Sequence, residues 1–260
     1  MNEMKQKIAA ALSAIQQEEE VRILYACESG SRAWGFPSRD SDYDVRFIYI
    51  RKPEWYLSIF EKRDVIERPI NDMLDINGWD LGKALLLLRK SNPPLLEWLQ
   101  SPIVYRTNEA VTDRIRRLSP AAFSPKSCMY HYLHMARGNN RAYLQGGRVK
   151  IKKYFYVLRP LLACGWIEQY GTLPPIAFQQ LVRAMVPEDS GLRAAIEGLL
   201  ARKMTGDELD IEPRIVPISD FLDEKIAYYE QVAPKMSGHV TIEDSQLDAL
   251  FREVLQESWA

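Results

Sequence analysis

Residues 21–50 read VRILYACESGSRAWGFPSRDSDYDVRFIYI, and the succession of elements within them sets the fold. VRILYACES is apolar and reads as a buried strand. GSRAWGFPSRDSD is rich in Gly, Ser, Pro and Asp, so it reads as a loop with at most one short helical turn. DYDVRFIYI alternates and is β-branched and aromatic, which predicts a second strand. Asp42 and Asp44 are two apart there, so both carboxylates project from one face. Such a pair repels itself and raises its own pKa values unless a cation lies between. Mg²⁺ is a natural occupant, being hard, octahedral and commonly held by one or two carboxylates, waters and phosphate oxygens; Mn²⁺ is a substitute. Upstream, a Gly30-Ser31 turn after a strand exposes backbone N–H groups and a hydroxyl that can hold phosphate oxygens. Gly30 lets the backbone come close, and Arg32 adds a planar cation for bidentate phosphate pairing.

A two-metal site needs a third carboxylate. Asp64, Glu67, Asp72 and Asp75 are the candidates downstream. Asp64 and Glu67 sit beside Lys62, Arg63 and Arg68 and read as solvated edge charges. Asp75, between Leu74 and Ile76 in a short strand NDMLDIN, is a carboxylate among apolar neighbours and is the expected third ligand. The bland reading of Asp75 is a helix cap or a turn residue before Gly78.

Around this segment, residues 3–19 carry Met4, Ile8, Leu12 and Ile15 at helical spacing, and RDVIERPI reads as a further short strand. GWDLGKALLLLRK predicts a helix, and SNPPLLEWLQ a second one with an N-cap and prolines at its start. Beyond about residue 106 strand signals stop and seven stretches show helical spacing. The expected fold class is therefore α+β: residues 1–106 form a small sheet domain, and residues 107–260 an all-α domain that completes a substrate cleft at the junction.

The 260-residue chain carries a formal net charge of −1, so its average surface does not advertise a nucleic-acid binder. Three cysteines without CxxC spacing suit a reducing cytosol, and the expected location is cytoplasmic. The N-terminal stretch runs into Gln16–Glu20 where a cleavage site would have to be, so it reads as an amphipathic helix and not as a signal peptide. No apolar run approaches the roughly 18 residues of a membrane span, so no membrane partner is expected.

In the helical half, Lys150, Lys152, Lys153, Tyr156 and Arg159 fall in one predicted helix. Lys152, Tyr156 and Arg159 lie at i, i+4 and i+7 and would share a face. That face either neutralises triphosphate charge or is a solvated surface with Tyr156 half buried. His131 and His134 lack an HExxH pattern, so zinc is not expected. They read as structural histidines, with His134, Arg137 and Asn140 as an alternative substrate contact. Trp79, Trp98, Trp166 and Tyr143 read as packing residues, and the acidic C-terminal helix as a solvated surface.

ESGSRAWGFPSRDSDYDVRFIYI resembles the signature of the DNA polymerase β nucleotidyltransferase superfamily: a Gly-Ser turn, a short helix, then DxD opening the next strand. The spacer Trp34-Gly35-Phe36-Pro37 departs from the usual pattern. With LDINGWDLGKALLLLRKSNPPLLEWLQSPIVY and KKYFYVLRPLLACGW, it is similar to the bacterial YcgL-like branch, some of whose members accompany RNA-ligase repair systems. The likeness spans roughly residues 20–185. It implies a five-stranded mixed sheet, Mg²⁺ held by Asp42, Asp44 and Asp75, and Ser31 on the nucleotide phosphates. The expected activity is transfer of a nucleoside monophosphate from an NTP (ATP-binding included) to an RNA end, a protein or a small molecule. A regulatory nucleotide-binding module and a helical adaptor are the alternatives, and each leaves the acidic pair without a use.

Overall fold

The computed structural model describes residues 3–38, 41–70, 73–206 and 210–260. The helical spacing at the N-terminus forms α1 (Glu3–Glu18), whose Ile8, Leu12 and Ile15 join a core with Val45, Phe47 and Ile76 of the sheet. Five strands make that sheet: β1 (Arg22–Glu28), β2 (Tyr43–Ile50), β3 (Val65–Glu67), β4 (Leu74–Asp80) and β5 (Val104–Thr107), in spatial order β3-β4-β2-β1-β5. β1 runs antiparallel to β2 and β5, and β3 antiparallel to β4, while β2 and β4 are parallel. The sheet is therefore mixed. The parallel register sets Asp44 directly opposite Asp75.

Short helices α2 (Gly30–Ala33) and α3 (Pro53–Tyr56) come after β1 and β2, and α4 (Leu81–Arg89) and α5 (Pro93–Leu99) lie between β4 and β5. Asp80 caps α4 by accepting the Gly82 N–H, and Asn92 caps α5 by accepting the Leu95 N–H. Trp79 and Trp98 stack with centroids 3.8 Å apart. α6 (Glu109–Ala122) comes after β5.

The rest comprises α7 (Pro125–Tyr143), β6 (Arg148–Lys150), α8 (Phe155–Tyr170), α9 (Phe178–Met185), α10 (Gly191–Thr205), β7 (Ile211–Pro213), α11 (Val216–Val232) and α12 (Asp244–Trp259). Two compact units result. The first is Met1–Ala33, Asp42–Ala122 and Val240–Ala260, and the second is Trp34–Ser41 and Phe123–His239. In the second unit α8 is apolar on nearly every face and is its buried spine. Phe36 from the spacer stacks on Phe155 at 4.9 Å and meets Phe178 edge-on at 5.1 Å.

The α+β class holds, with several differences from the sequence expectation. The units do not follow a single cut at residue 106, because α6 and α12 belong with the sheet and Trp34–Ser41 with the helices. α12 is not simply a solvated surface: it buries Leu247, Leu250 and Val254, Asp244 pairs with Arg89, and Glu253 and Glu257 pair with Arg114. β4 runs on through Gly78 and Trp79, since Gly78 lies against the Phe47 ring and Asp80 starts the next helix. β5 to β7 are three or four residues long, too short for alternation to show. Most consequentially, 149–170 is not one helix. A 3-10 turn, Ile151–Tyr154, separates Lys152 from α8, and the 3-10 phase removes the supposed i, i+4, i+7 face. Pro160 sits inside α8 without ending it.

Candidate active site

β1 ends on Glu28, which is fully buried. Its Oε1 accepts the Asp44 backbone N–H at 2.8 Å, its Oε2 accepts the Tyr105 hydroxyl, and its carbonyl accepts Ser101 Oγ at 2.6 Å. The Ser29 N–H donates to the Asp44 carbonyl at 2.8 Å. Both backbone polar groups of Asp44 are thus fixed from the β1 side. Burial raises the Glu28 carboxyl above its usual range, and the bonds from Tyr105 and the Asp44 N–H oppose that rise.

The turn after β1 must hold a glycine. Gly30 has φ +61, and a Cβ there would lie 2.2 Å from Asp44 Oδ2. The Asp44 carboxylate therefore rests against the backbone of the Gly30-Ser31 turn. Ser31 and Arg32 are half buried in α2. The Arg32 guanidinium lies 3.6 Å over the Tyr43 ring, and its Nε donates to the Asp42 carbonyl at 3.1 Å.

One strand repeat beyond Asp44, on the same face, stands Arg46. Its Nη2 donates to Asp44 Oδ1 at 3.1 Å and to Asp75 Oδ2 at 2.7 Å, and its Nη1 to the Asp75 and Val45 carbonyls at 3.0 and 3.1 Å. Arg46 is only 18% exposed and the two aspartates 30% each, so this pairing is shielded from solvent. Burial raises the pKa of Asp44; Arg46 opposes it, while Asp75 and then Asp42 add to it.

The structure therefore brings Asp44 and Asp75 onto one guanidinium, beside Gly30. Asp42 is exposed just before β2. Among the described residues no group of three His, Cys, Asp or Glu is gathered to hold a metal ion. Asp72 lies outside the described residues. Asp64 and Glu67 pair with Lys83 and Arg63, as edge charges do. Still, hard carboxylate oxygens on facing strands fit a divalent cation that takes its remaining ligands from water and phosphate.

In the second unit, Lys153 Nζ lies 4.5 Å over the Tyr143 ring and 4.7 Å over the Tyr156 ring. Trp34 meets Tyr156 edge-on at 6.1 Å. Lys152 is half buried in the 3-10 turn. Arg159 is buried with its guanidinium 4.6 Å over Trp34, which gives it a packing role. His131 packs edge-on near Tyr132 at 6.2 Å, and His134 is exposed on α7.

Sequence reasoning passed over Glu28, Tyr105 and Arg46. The available signal was a charge inside each of two apolar strands, which demands a partner.

The profile of RlaP, the RNA repair pathway DNA polymerase beta family, matches residues 4–253. The chain belongs to that family. The uncharacterized protein YcgL of Bacillus subtilis (strain 168) is 52% identical over 256 residues, covering 98% of each chain. A solved nucleotidyltransferase-like protein from Exiguobacterium sibiricum 255-15 aligns with 96% of this chain and 92% of its own, at 13% identity and a TM-score of 0.28, a likeness too slight to carry an argument. Family and fold are those of a polymerase-beta-like nucleotidyltransferase. No described helix is long and apolar enough to cross a membrane.

Proposed function

We propose that the protein transfers a nucleoside monophosphate from an NTP to an acceptor hydroxyl, with release of pyrophosphate. The observation that carries this reading is the facing pair Asp44 and Asp75, held together beside the Gly30-Ser31 turn. Asp42, Asp44 and Asp75 would hold Mg²⁺, or Mn²⁺ in its place, and the bound ion supplies neutralisation and polarisation of phosphoryl oxygens. Gly30, Ser31 and Arg32 bind β- and γ-phosphate oxygens through backbone N–H, hydroxyl and guanidinium. Asp75 orients the acceptor hydroxyl or takes its proton. Positioning and electrostatics then do most of the work. Lys152, Lys153 and Tyr156 are assigned to the triphosphate as well, on their cationic and phenolic side chains and on the sequence resemblance.

The family's RNA repair description favours an RNA end as acceptor. The formal charge of −1 favours a second reading, AMP transfer to a protein or small molecule, which needs fewer phosphate contacts. Incubation with each α-labelled NTP, with Mg²⁺ or with chelator, and with RNA, protein or no acceptor, separates these readings. Label on RNA supports the first reading and label on protein the second. Nucleotide bound without any transfer or pyrophosphate release sinks both and leaves a regulatory module.

A further inference from the structure

Arg46 is a cation placed on the acidic face of β2, two residues beyond Asp44 and opposite Asn77 of β4. Among the described residues its ion-pair partners are Asp44 and Asp75. It takes one oxygen from each, Asp44 Oδ1 and Asp75 Oδ2, through a single nitrogen, Nη2. The other nitrogen, Nη1, is tied to the backbone carbonyls of Val45 and Asp75, which fixes the guanidinium to the strand pair. An isolated Asp-x-Asp strand with a facing aspartate would be a strong divalent-cation trap by charge alone. Arg46 answers two of those three carboxylates with one permanent positive charge.

We propose that Arg46 is a built-in counter-cation that keeps the Asp44–Asp75 pair from loading with a divalent cation until a nucleoside triphosphate arrives. The inference rests on the reading of Asp44 and Asp75 as metal ligands. Its physical content is a charge balance. Asp42, Asp44 and Asp75 alone carry a formal charge of −3, and Arg46 lowers it to −2. A divalent cation entering alone is therefore attracted less strongly and contends with the guanidinium for Asp44 Oδ1 and Asp75 Oδ2. A triphosphate supplies the missing negative charge and its own oxygen ligands, so cation and nucleotide enter as partners. Premature loading of a nucleotide-free site is thereby suppressed.

The test is Mn²⁺ binding to the full chain, followed by the electron paramagnetic resonance of free Mn²⁺ and by thermal denaturation. Wild type, Arg46→Gln, Arg46→Lys and the double variant Arg46→Gln/Asp75→Asn are compared, with and without α,β-methylene-ATP. Without nucleotide, Arg46→Gln binds Mn²⁺ at least about tenfold more tightly than wild type, the factor by which one adjacent full charge shifts a carboxylate's affinity for a proton. Arg46→Lys, which keeps the charge, stays within roughly threefold of wild type. Equal or weaker Mn²⁺ binding by Arg46→Gln overturns the proposal. An Arg46→Gln affinity that Asp75→Asn leaves unchanged overturns instead the metal-site reading beneath it. Should Arg46→Gln not fold, wild type alone decides: stabilisation by Mn²⁺ without nucleotide equal to that with the analogue overturns the proposal, and stabilisation confined to the ternary mixture supports it.

Discussion

Gly30→Ala perturbs the contact between the turn and Asp44, and it carries two separable costs. The backbone cost comes from φ +61, where an alanine pays about 1 kcal/mol relative to glycine. The steric cost comes from a Cβ placed 2.2 Å from Asp44 Oδ2 and 3.1 Å from its Cγ. A carbon and an oxygen need more than about 3 Å, so the carboxylate must retreat by on the order of 1 Å. It cannot retreat freely. Its Oδ1 is bonded to Arg46, and its backbone is pinned by Glu28 and Ser29. A displacement of about 1 Å at a reacting centre costs on the order of a hundredfold in rate. The folding cost stays near about 1–3 kcal/mol, a few degrees in melting temperature for each kcal/mol. Gly35→Ala is the matched control: φ is +87, and nothing lies within 4 Å of the added Cβ. It carries the same backbone strain without the clash. Pyrophosphate release and thermal denaturation measured on both variants are expected to show a stability loss in each, the smaller one in Gly35→Ala, and a loss of transfer in Gly30→Ala alone. A folded Gly30→Ala with the wild-type rate, or equal loss of transfer in both variants, would rule out the carboxylate displacement as the cause.

Three other contacts give further outcomes. Gly78→Ala drives a Cβ to 2.2 Å from the fully buried Phe47 ring, so it is expected to cost about 3 kcal/mol in urea-unfolding free energy, and a loss below about 1 kcal/mol would show the sheet repacks there. Asp80 is raised by burial above its ordinary 3.8, with the bonds from Tyr56 and Gly82 opposing, so its ionisation costs stability as pH climbs from that value through the folded one. Asp80→Asn keeps the cap and removes the charge, and its unfolding free energy should fall less than wild type's between about pH 4 and pH 7. Lys153→Ala is expected to raise the KM for the NTP by roughly tenfold with kcat little changed, as loss of ground-state phosphate binding does, and an unchanged KM would confine Lys153 to its contacts with Tyr143 and Tyr156.

How much of this was legible in the sequence depended on the range over which each signal acts. The Asp42/Asp44 spacing can be read locally, although β2 begins at Tyr43 and leaves Asp42 just outside the strand expected to carry both. Asp75 stood out because a carboxylate between Leu74 and Ile76 needs a reason. That it faces Asp44 is a matter of parallel register across about thirty residues, which no local pattern encodes. Arg46 was hidden inside the apolar run VRFIYI, where its partners come from a neighbouring strand. Glu28 was hidden for the same cause, its role being to grip a backbone N–H sixteen residues away. The Lys152, Tyr156 and Arg159 face failed because the 3-10 turn Ile151–Tyr154 shifts the helical phase, and the residues of that turn are as helix-like in pattern as those of α8. The spacer Trp34–Pro37 gave no local sign that its aromatic rings would pack with the helical unit; only Phe155 and Phe178, far along the chain, explain them.

Every role assigned to the site depends on Asp44 and Asp75 serving nucleotidyl transfer together. The most direct measurement is the rate of Mg²⁺-dependent label transfer from an α-labelled NTP, with the acceptor found in the screen, by wild type and by Asp75→Asn. Asparagine keeps the size and a hydrogen-bond acceptor for Arg46 while removing the charge. With folding unchanged, the rate should drop by at least about a hundredfold. An Asp75→Asn protein that folds and transfers label at the wild-type rate would show that the facing pair has no part in the reaction.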